Sequence, residues 1–246
     1  MRLLRPVWTA PPAVRALSTT RHGGVSRGVY GSLNLASHVG DDPRAVQFNR
    51  RRLRDQAKVP AEPLWLNQVH GTAVIQVDGL SGGPFDADAA VAFGSGAVCA
   101  VMTADCLPVL LCDDAGTVVA AAHAGWRGLA AGVIEAVVAS MHRPGERLMA
   151  WLGPAIGRDY FEVGPEVRGR FCEITPDAER AFSRGAGDRW LADLNLLARQ
   201  RLNALGIGRV MGGGYCTAAD PARFFSYRRD GVTGRMASLI WLEPEL

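Results

Sequence analysis

Between Leu64 and His123 the chain passes through six apolar segments of β type: Leu64–Val69, Val74–Val77, Ala89–Phe93, Ala97–Met102, Val109–Cys112 and Val118–His123. Runs this close together leave no room for intervening helices, which excludes a simple alternating parallel sheet and demands a large sheet or two packed sheets. After His123 the period changes. Leu129, Val133, Ile134, Val137, Val138 and Met141 fall on one face at 3.6 residues per turn, so a strand, a Gly-rich turn and a helix follow one another. A helix is also expected from Pro43 to Lys58, capped by Asp42 with Pro43 at its first position. Another should run from Asp193 to Leu205, with Leu194, Leu197, Ala198, Leu202 and Leu205 inward and Gly206 ending it. Arg235–Leu242 reads as a final strand. The class is mixed α and β, with helices covering sheets.

Composition fits this reading. Of 246 residues, 48% are hydrophobic and 21% charged, enough for a sizeable core and too apolar for a disordered chain. No Pro-, Ser- or Gly-rich linker and no repeat divides the chain, so a single domain over 1–246 is expected. The net charge is +3, but Lys58 is the only lysine and the arginines are interleaved with 24 acidic residues. That pattern reflects an arginine bias rather than a nucleic-acid surface. The run Arg50-Arg51-Arg52-Leu53-Arg54 is read as the solvated face of the first helix. Five cysteines cannot all pair within one chain, and no basic-then-apolar leader opens the sequence, so a reduced, cytoplasmic protein is expected. The longest uncharged stretch, Ala89–Ala104, is broken at Gly94-Ser95-Gly96 and is shorter than the roughly 20 residues of a membrane span. No membrane partner is expected.

Three side chains with metal-binding or nucleophilic capacity lie at or just beyond apolar runs: His70 in Trp-Leu-Asn-Gln-Val-His-Gly, Cys106 in Thr-Ala-Asp-Cys-Leu-Pro, and His123 in Ala-Ala-His-Ala-Gly-Trp-Arg-Gly. Two imidazoles and a thiolate suit Zn²⁺ and would leave a fourth position open for water or substrate. The same residue types also serve a Cys106 nucleophile with His123 or His70 as base, and spacing alone does not choose. In the turn after His123, Gly125, Gly128 and Gly132 let backbone approach closely, while Arg127 stands at the start of the following helix. Free N–H groups and a guanidinium there favour a phosphate or carboxylate. Near the C-terminus, Arg223-Phe224-Phe225-Ser226-Tyr227-Arg228-Arg229 interleaves aromatics with arginines, a pattern able to stack a flat base and hold an anion or to form an aromatic core edge.

Four motifs in order, Asn67-Gln68-Val69-His70-Gly71, Thr103-Ala104-Asp105-Cys106-Leu107-Pro108, His123-Ala124-Gly125-Trp126-Arg127-Gly128 and Phe224-Phe225-Ser226-Tyr227-Arg228-Arg229, resemble the YfiH-type purine nucleoside phosphorylase family. It is also called the laccase-domain or multicopper polyphenol oxidase family and peptidoglycan editing factor. The resemblance extends from Thr19-Thr20-Arg21 through Gly153-Pro154-Ala155-Ile156-Gly157 to the final strand. It implies a four-layer α/β/β/α sandwich of mixed sheets, similar to the catalytic domain of cytotoxic necrotizing factor, and a zinc held by His70, Cys106 and His123. It further implies phosphorolysis of adenosine, inosine, guanosine and methylthioadenosine to base and ribose 1-phosphate, with adenosine deamination at the same site.

The deaminase signature of His-x-Glu with Pro-Cys-x-x-Cys is absent, so Asp105 is the nearest carboxylate for proton transfer. Arg127, with Arg21 or Arg228, is expected to position phosphate, and Gln68 to contact substrate. A cluster of several coppers needs more imidazoles than His70 and His123, since His22, His38 and His142 lie outside the motifs. Copper can nevertheless compete for a Cys-His-His site and give oxidase activity. Purine nucleosides and phosphate are thus the expected partners, in a monomer or homodimer; a cysteine hydrolase or editing factor acting on a peptidoglycan precursor is the alternative.

Overall fold

The computed structural model of the protein describes residues 1–80 and 82–243; residues 81 and 244–246 of the expected unit over 1–246 lie outside the described residues. Two sheets dominate. The first has four strands, β1 (Leu3–Leu4), β2 (Val14–Thr19), β13 (Met236–Leu242) and β5 (Val98–Thr103), in that order and antiparallel throughout. The second has six, in the order β12 (Arg209–Gly212), β8 (Leu148–Leu152), β6 (Leu107–Asp113), β7 (Val119–Ala124), β4 (Ala89–Ala92) and β3 (Val74–Gln76). Its two outer pairs are parallel and its inner pairs antiparallel. A small antiparallel sheet of β9 (Glu162–Val163), β10 (Phe182–Arg184) and β11 (Trp190–Ala192) lies apart from both.

The strands read as unbroken apolar runs because both of their faces are covered. In β5, Cys99 and Val101 face the six-stranded sheet, whereas Val98, Ala100 and Met102 join the cluster that holds Leu53 and Ala57 of α1 (Pro43–Ala57). In β7, Val119 and Ala121 point between the sheets, and Ala120, Ala122 and Ala124 pack on Val133, Ile134 and Val137 of α3 (Val133–Ser140). The period of two along each strand therefore builds four layers: α1, the four-stranded sheet, the six-stranded sheet, and an outer layer of α2 (Trp126–Ala131), α3, α4 (Pro165–Cys172) and α5 (Leu194–Ala204). His123 continues the inter-sheet face of Val119 and Ala121 to the end of β7. This puts an imidazole where a core residue would otherwise stand.

The expected helix starts hold. Asp42 accepts a hydrogen bond from Arg44 N at 2.9 Å, and Asp193 accepts one from Leu196 N at 2.9 Å. Two expectations need correction. Leu64–Val69 is not a strand: the Gln68 side chain takes the pairing role instead, its Nε2 donating to Met102 O at 2.8 Å and its Oε1 accepting from Met102 N at 2.7 Å. The apolar stripe from Leu129 to Met141 is not one helix either. Gly132, at φ +102°, ends α2 and starts α3 with a change of direction. No helix among the described residues is long and apolar enough to cross a membrane.

Candidate active site

His70, Cys106 and His123 come from a loop, a turn and a strand end, yet their ligand atoms all lie within 4.8 Å of one another. Cys106 Sγ is 3.9 Å from His70 Nε2, and the two imidazoles meet edge to face with centroids 4.8 Å apart. It is the one such group of three among the described residues. The donor set fits a zinc-class ion: two nitrogens and one sulfur converge, and the cluster opens on a cavity rather than being closed by a fourth side chain.

Close approach explains the glycines. A Cβ on Gly125 would stand 3.0 Å from both Cys106 Sγ and His70 Cδ2, and one on Gly128 would meet Gly71 O at 2.9 Å. At Gly128 the backbone itself would have to move, and at Gly125 both ligand side chains would have to give by a few tenths of an ångström, so glycine suits the turn after His123 because the His70 loop and the Cys106 turn press against it. The backbone is held in unusual conformations on both sides. His70 has φ +62° and Asp105 φ +95°, values that cost a non-glycine residue about 1–3 kcal/mol each and persist where the surroundings hold them.

Two buried carboxylates do the holding. Asp88, with no exposed surface, accepts from Val69 N, His70 N and Gly71 N at 3.2, 3.0 and 2.6 Å and from His123 Nδ1 at 2.8 Å. Burial would raise its carboxyl, but hydrogen bonds from His123, Gly71 and His70 keep it below the ordinary range. Asp105 accepts from Thr217 Oγ1 at 2.6 Å, Ser226 Oγ at 3.0 Å and Arg228 N at 2.6 Å. Its oxygens are thus engaged in fastening the Cys106 turn to the C-terminal segment, which argues against the proton-transfer role expected for it.

The thiol and imidazole are electrostatically paired. Burial would raise Cys106, but the charge of His123 and hydrogen bonds from both imidazoles pull the thiol well below its usual value. Burial would likewise lower His123, yet the Cys106 charge and the bond to Asp88 raise it. Without a metal this geometry favours a thiolate beside an imidazolium.

The cluster opens into a cavity of about 560 Å³, within the range of small-molecule sites. One part of its wall is apolar, with Met102, Trp126, Ile156, Phe161 and Tyr227; three guanidinium groups, of Arg127, Arg228 and Arg235, line it as well. Arg127 stacks 4.4 Å from the Trp126 ring and has no hydrogen-bond or ion-pair partner among the described residues. Arg228 lies 5.3 Å from the Phe161 ring and donates through Nη1 to Glu162 O at 2.9 Å. The helix behind Arg127 has only six residues, so the guanidinium rather than the helix dipole supplies most of the positive potential there.

Arg21 is not on this wall. Its Nε donates to Gly31 O at 2.9 Å and its Nη1 to Pro221 O at 3.0 Å, with the guanidinium 4.7 Å over Phe225. Gln68 reaches the cavity wall, but both ends of its amide are bonded to Met102.

Over residues 15–243 the chain matches the family described as multi-copper polyphenol oxidoreductase laccase. It is 54% identical over 241 residues to a purine nucleoside phosphorylase of Pseudomonas aeruginosa, covering 98% of each chain. To the Escherichia coli protein named purine nucleoside phosphorylase YfiH it is 52% identical, covering 98% of this chain and 99% of that one. The chain belongs to this laccase-like YfiH family. Its structure superimposes on a Neisseria meningitidis protein with a TM-score of 0.96 at 53% identity, over 99% of this chain and 100% of that one. For YlmD of Geobacillus stearothermophilus the score is 0.87 at 30% identity, over 95% and 93%.

Three residues of this YfiH-family site escaped the sequence reading. Asp88 sits in Asp-Ala-Asp-Ala ahead of a buried strand, and nothing local marks it as the partner of a histidine 35 positions away. Arg235 immediately precedes the final strand and looks like an ordinary flanking charge; burial lowers its pKa, against the raising charges of Cys106 and Asp105. His38, also on the cavity wall, is lowered by burial and by the charges of Arg235 and Arg50.

Proposed function

We propose that the protein is a zinc-dependent purine nucleoside phosphorylase of purine metabolism in the cytoplasm, acting as one domain over 1–246. Adenosine, inosine, guanosine and methylthioadenosine are its substrate class, and adenosine deamination is a second activity at the same site. One observation carries this reading: a His-Cys-His cluster and three guanidinium groups share a single cavity, whose one carboxylate among the described residues, Asp105, is already engaged elsewhere. Such a cavity is cationic and selects an anion. The names carried by the Pseudomonas and Escherichia relatives point to which anion and which co-substrate.

In phosphorolysis a phosphate oxygen bonds to the anomeric carbon as the bond from that carbon to the purine nitrogen breaks, and the electron pair leaves with the base. Arg127, whose guanidinium lacks a protein partner among the described residues, would bind and orient the phosphate together with Arg228 and Arg235. The apolar wall of Met102, Phe161 and Tyr227 would take the purine face and exclude water from it. Held by His70, Cys106 and His123, zinc would supply a Lewis-acid position facing the substrate. Copper is the competing metal, and any oxidase activity would follow copper loading.

The test uses zinc-loaded protein with adenosine or inosine, with and without phosphate, resolving base, inosine and ribose 1-phosphate. Phosphate-dependent base release, lost in folded Cys106→Ala and reduced roughly 100-fold in Arg127→Ala, is the expected result; no release from any purine nucleoside would refute it. A second reading rests on the paired thiolate and imidazolium, which suit a cysteine hydrolase or editing factor acting on an amide of a peptidoglycan precursor. A thioester trapped on Cys106 of metal-free protein would favour it.

A further inference from the structure

We infer that Asp88 is a positioning residue that sets the tautomer of His123 and the backbone of His70 together, so that both imidazoles present their ligand nitrogens to the same point; this rests on the metal-binding part of the function proposed above.

An ionised carboxylate accepts and never donates, and it has about four lone-pair directions. All four are filled here. Oδ1 takes His123 Nδ1 and His70 N, and Oδ2 takes Val69 N and Gly71 N. Because Asp88 can only accept, the proton of a neutral His123 must sit on Nδ1, which leaves the Nε2 lone pair free for the cluster. The backbone repeats the hold: His123 N donates to Asp88 O at 2.7 Å.

The three backbone contacts, shared between the two oxygens, address a different problem. His70 adopts φ +62°, a conformation its side chain disfavours, and three successive N–H groups converging on one carboxylate form an anion nest that holds it there. A single buried side chain thus couples a loop and a strand end that are 53 positions apart and each deliver one imidazole. Asparagine could satisfy one half only. With its oxygen towards His123 its amide would face the N–H groups of Val69 and Gly71, and with its amide towards His123 it would force the proton onto Nε2.

Zinc affinity of metal-free protein, measured by competition with a chromophoric chelator, should fall about 10–100-fold in Asp88→Asn shown by circular dichroism to be folded. A readout that needs no variant is the imidazole nitrogen spectrum of zinc-loaded wild type. It should show a slowly exchanging proton on His123 Nδ1 and none on Nε2. A folded variant that binds zinc within twofold of wild type, even with a lowered melting temperature, overturns the inference, as does a wild-type spectrum with the proton on Nε2 or wild-type protein that takes up no zinc. If Asp88→Asn does not fold, the wild-type spectrum decides alone. Neither readout involves nucleoside turnover, so zinc-loaded protein that leaves nucleosides intact would refute the phosphorylase reading and spare this one.

Discussion

Cys106 shows how much one environment can change a side chain. Cys99 and Cys112 are the same residue type on the two strands that flank it in the chain, β5 and β6, and burial pushes the first far up and the second up to about 12, so both stay protonated thiols. Cys106 moves the other way, against its own burial, because His123 and His70 stand beside it. The sign has a direct consequence. In metal-free protein, iodoacetamide should label Cys106 at neutral pH in preference to the other two, and the rate should fall only as pH drops through its lowered pKa, well below the usual value of about 8.5. Labelling that instead rises with pH through 8.5 would contradict the pairing, and zinc should protect the residue. Gly125 acts through absence: in Gly125→Ala the added methyl would meet Cys106 Sγ and His70 Cδ2, so zinc affinity should drop roughly tenfold or more in competition titrations while the melting temperature changes little.

At the scale of elements, local chemistry was most legible where a signal acts within a few residues. Asp42-Pro43 and Asp193 announce their helices through a cap that reaches only two or three positions on. Replacing Asp193 by Ala should therefore destabilise the protein by about 1 kcal/mol in urea unfolding, with the site unaffected. Signals from a distance were not legible. Leu64–Val69 has the apolar pattern of a strand, but Gln68, through its side chain, pairs with Met102, 34 positions away. Gly132 sits inside a continuous helical stripe, and only packing decides that the chain turns there. The same limit separates the site residues. His70, Cys106 and His123 stand in readable motifs, whereas Asp88, Arg235 and His38 gain their roles from contacts that sequence spacing does not show.

For the whole molecule, the alternation along β5, β6, β7 and β13 builds three stacked apolar layers, under α1, between the sheets and under the outer helices, with the cavity where the inter-sheet face ends at His123. The layering follows from apolar runs that need cover on both sides; the strand order does not, because pairing β13 between β2 and β5 joins segments more than 130 positions apart. Leu110, fully buried between the sheets, should cost about 2–5 kcal/mol when changed to Ala, read as a lower urea midpoint, and should leave zinc stoichiometry intact in the folded fraction. The sheets are thus a scaffold, and the chemistry belongs to the cavity at their open end. Phosphorus NMR of zinc-loaded protein with inosine and phosphate tests this most directly. Ribose 1-phosphate should appear one for one with hypoxanthine and not at all without phosphate; base released with free ribose, or no base at all, would contradict a phosphorylase.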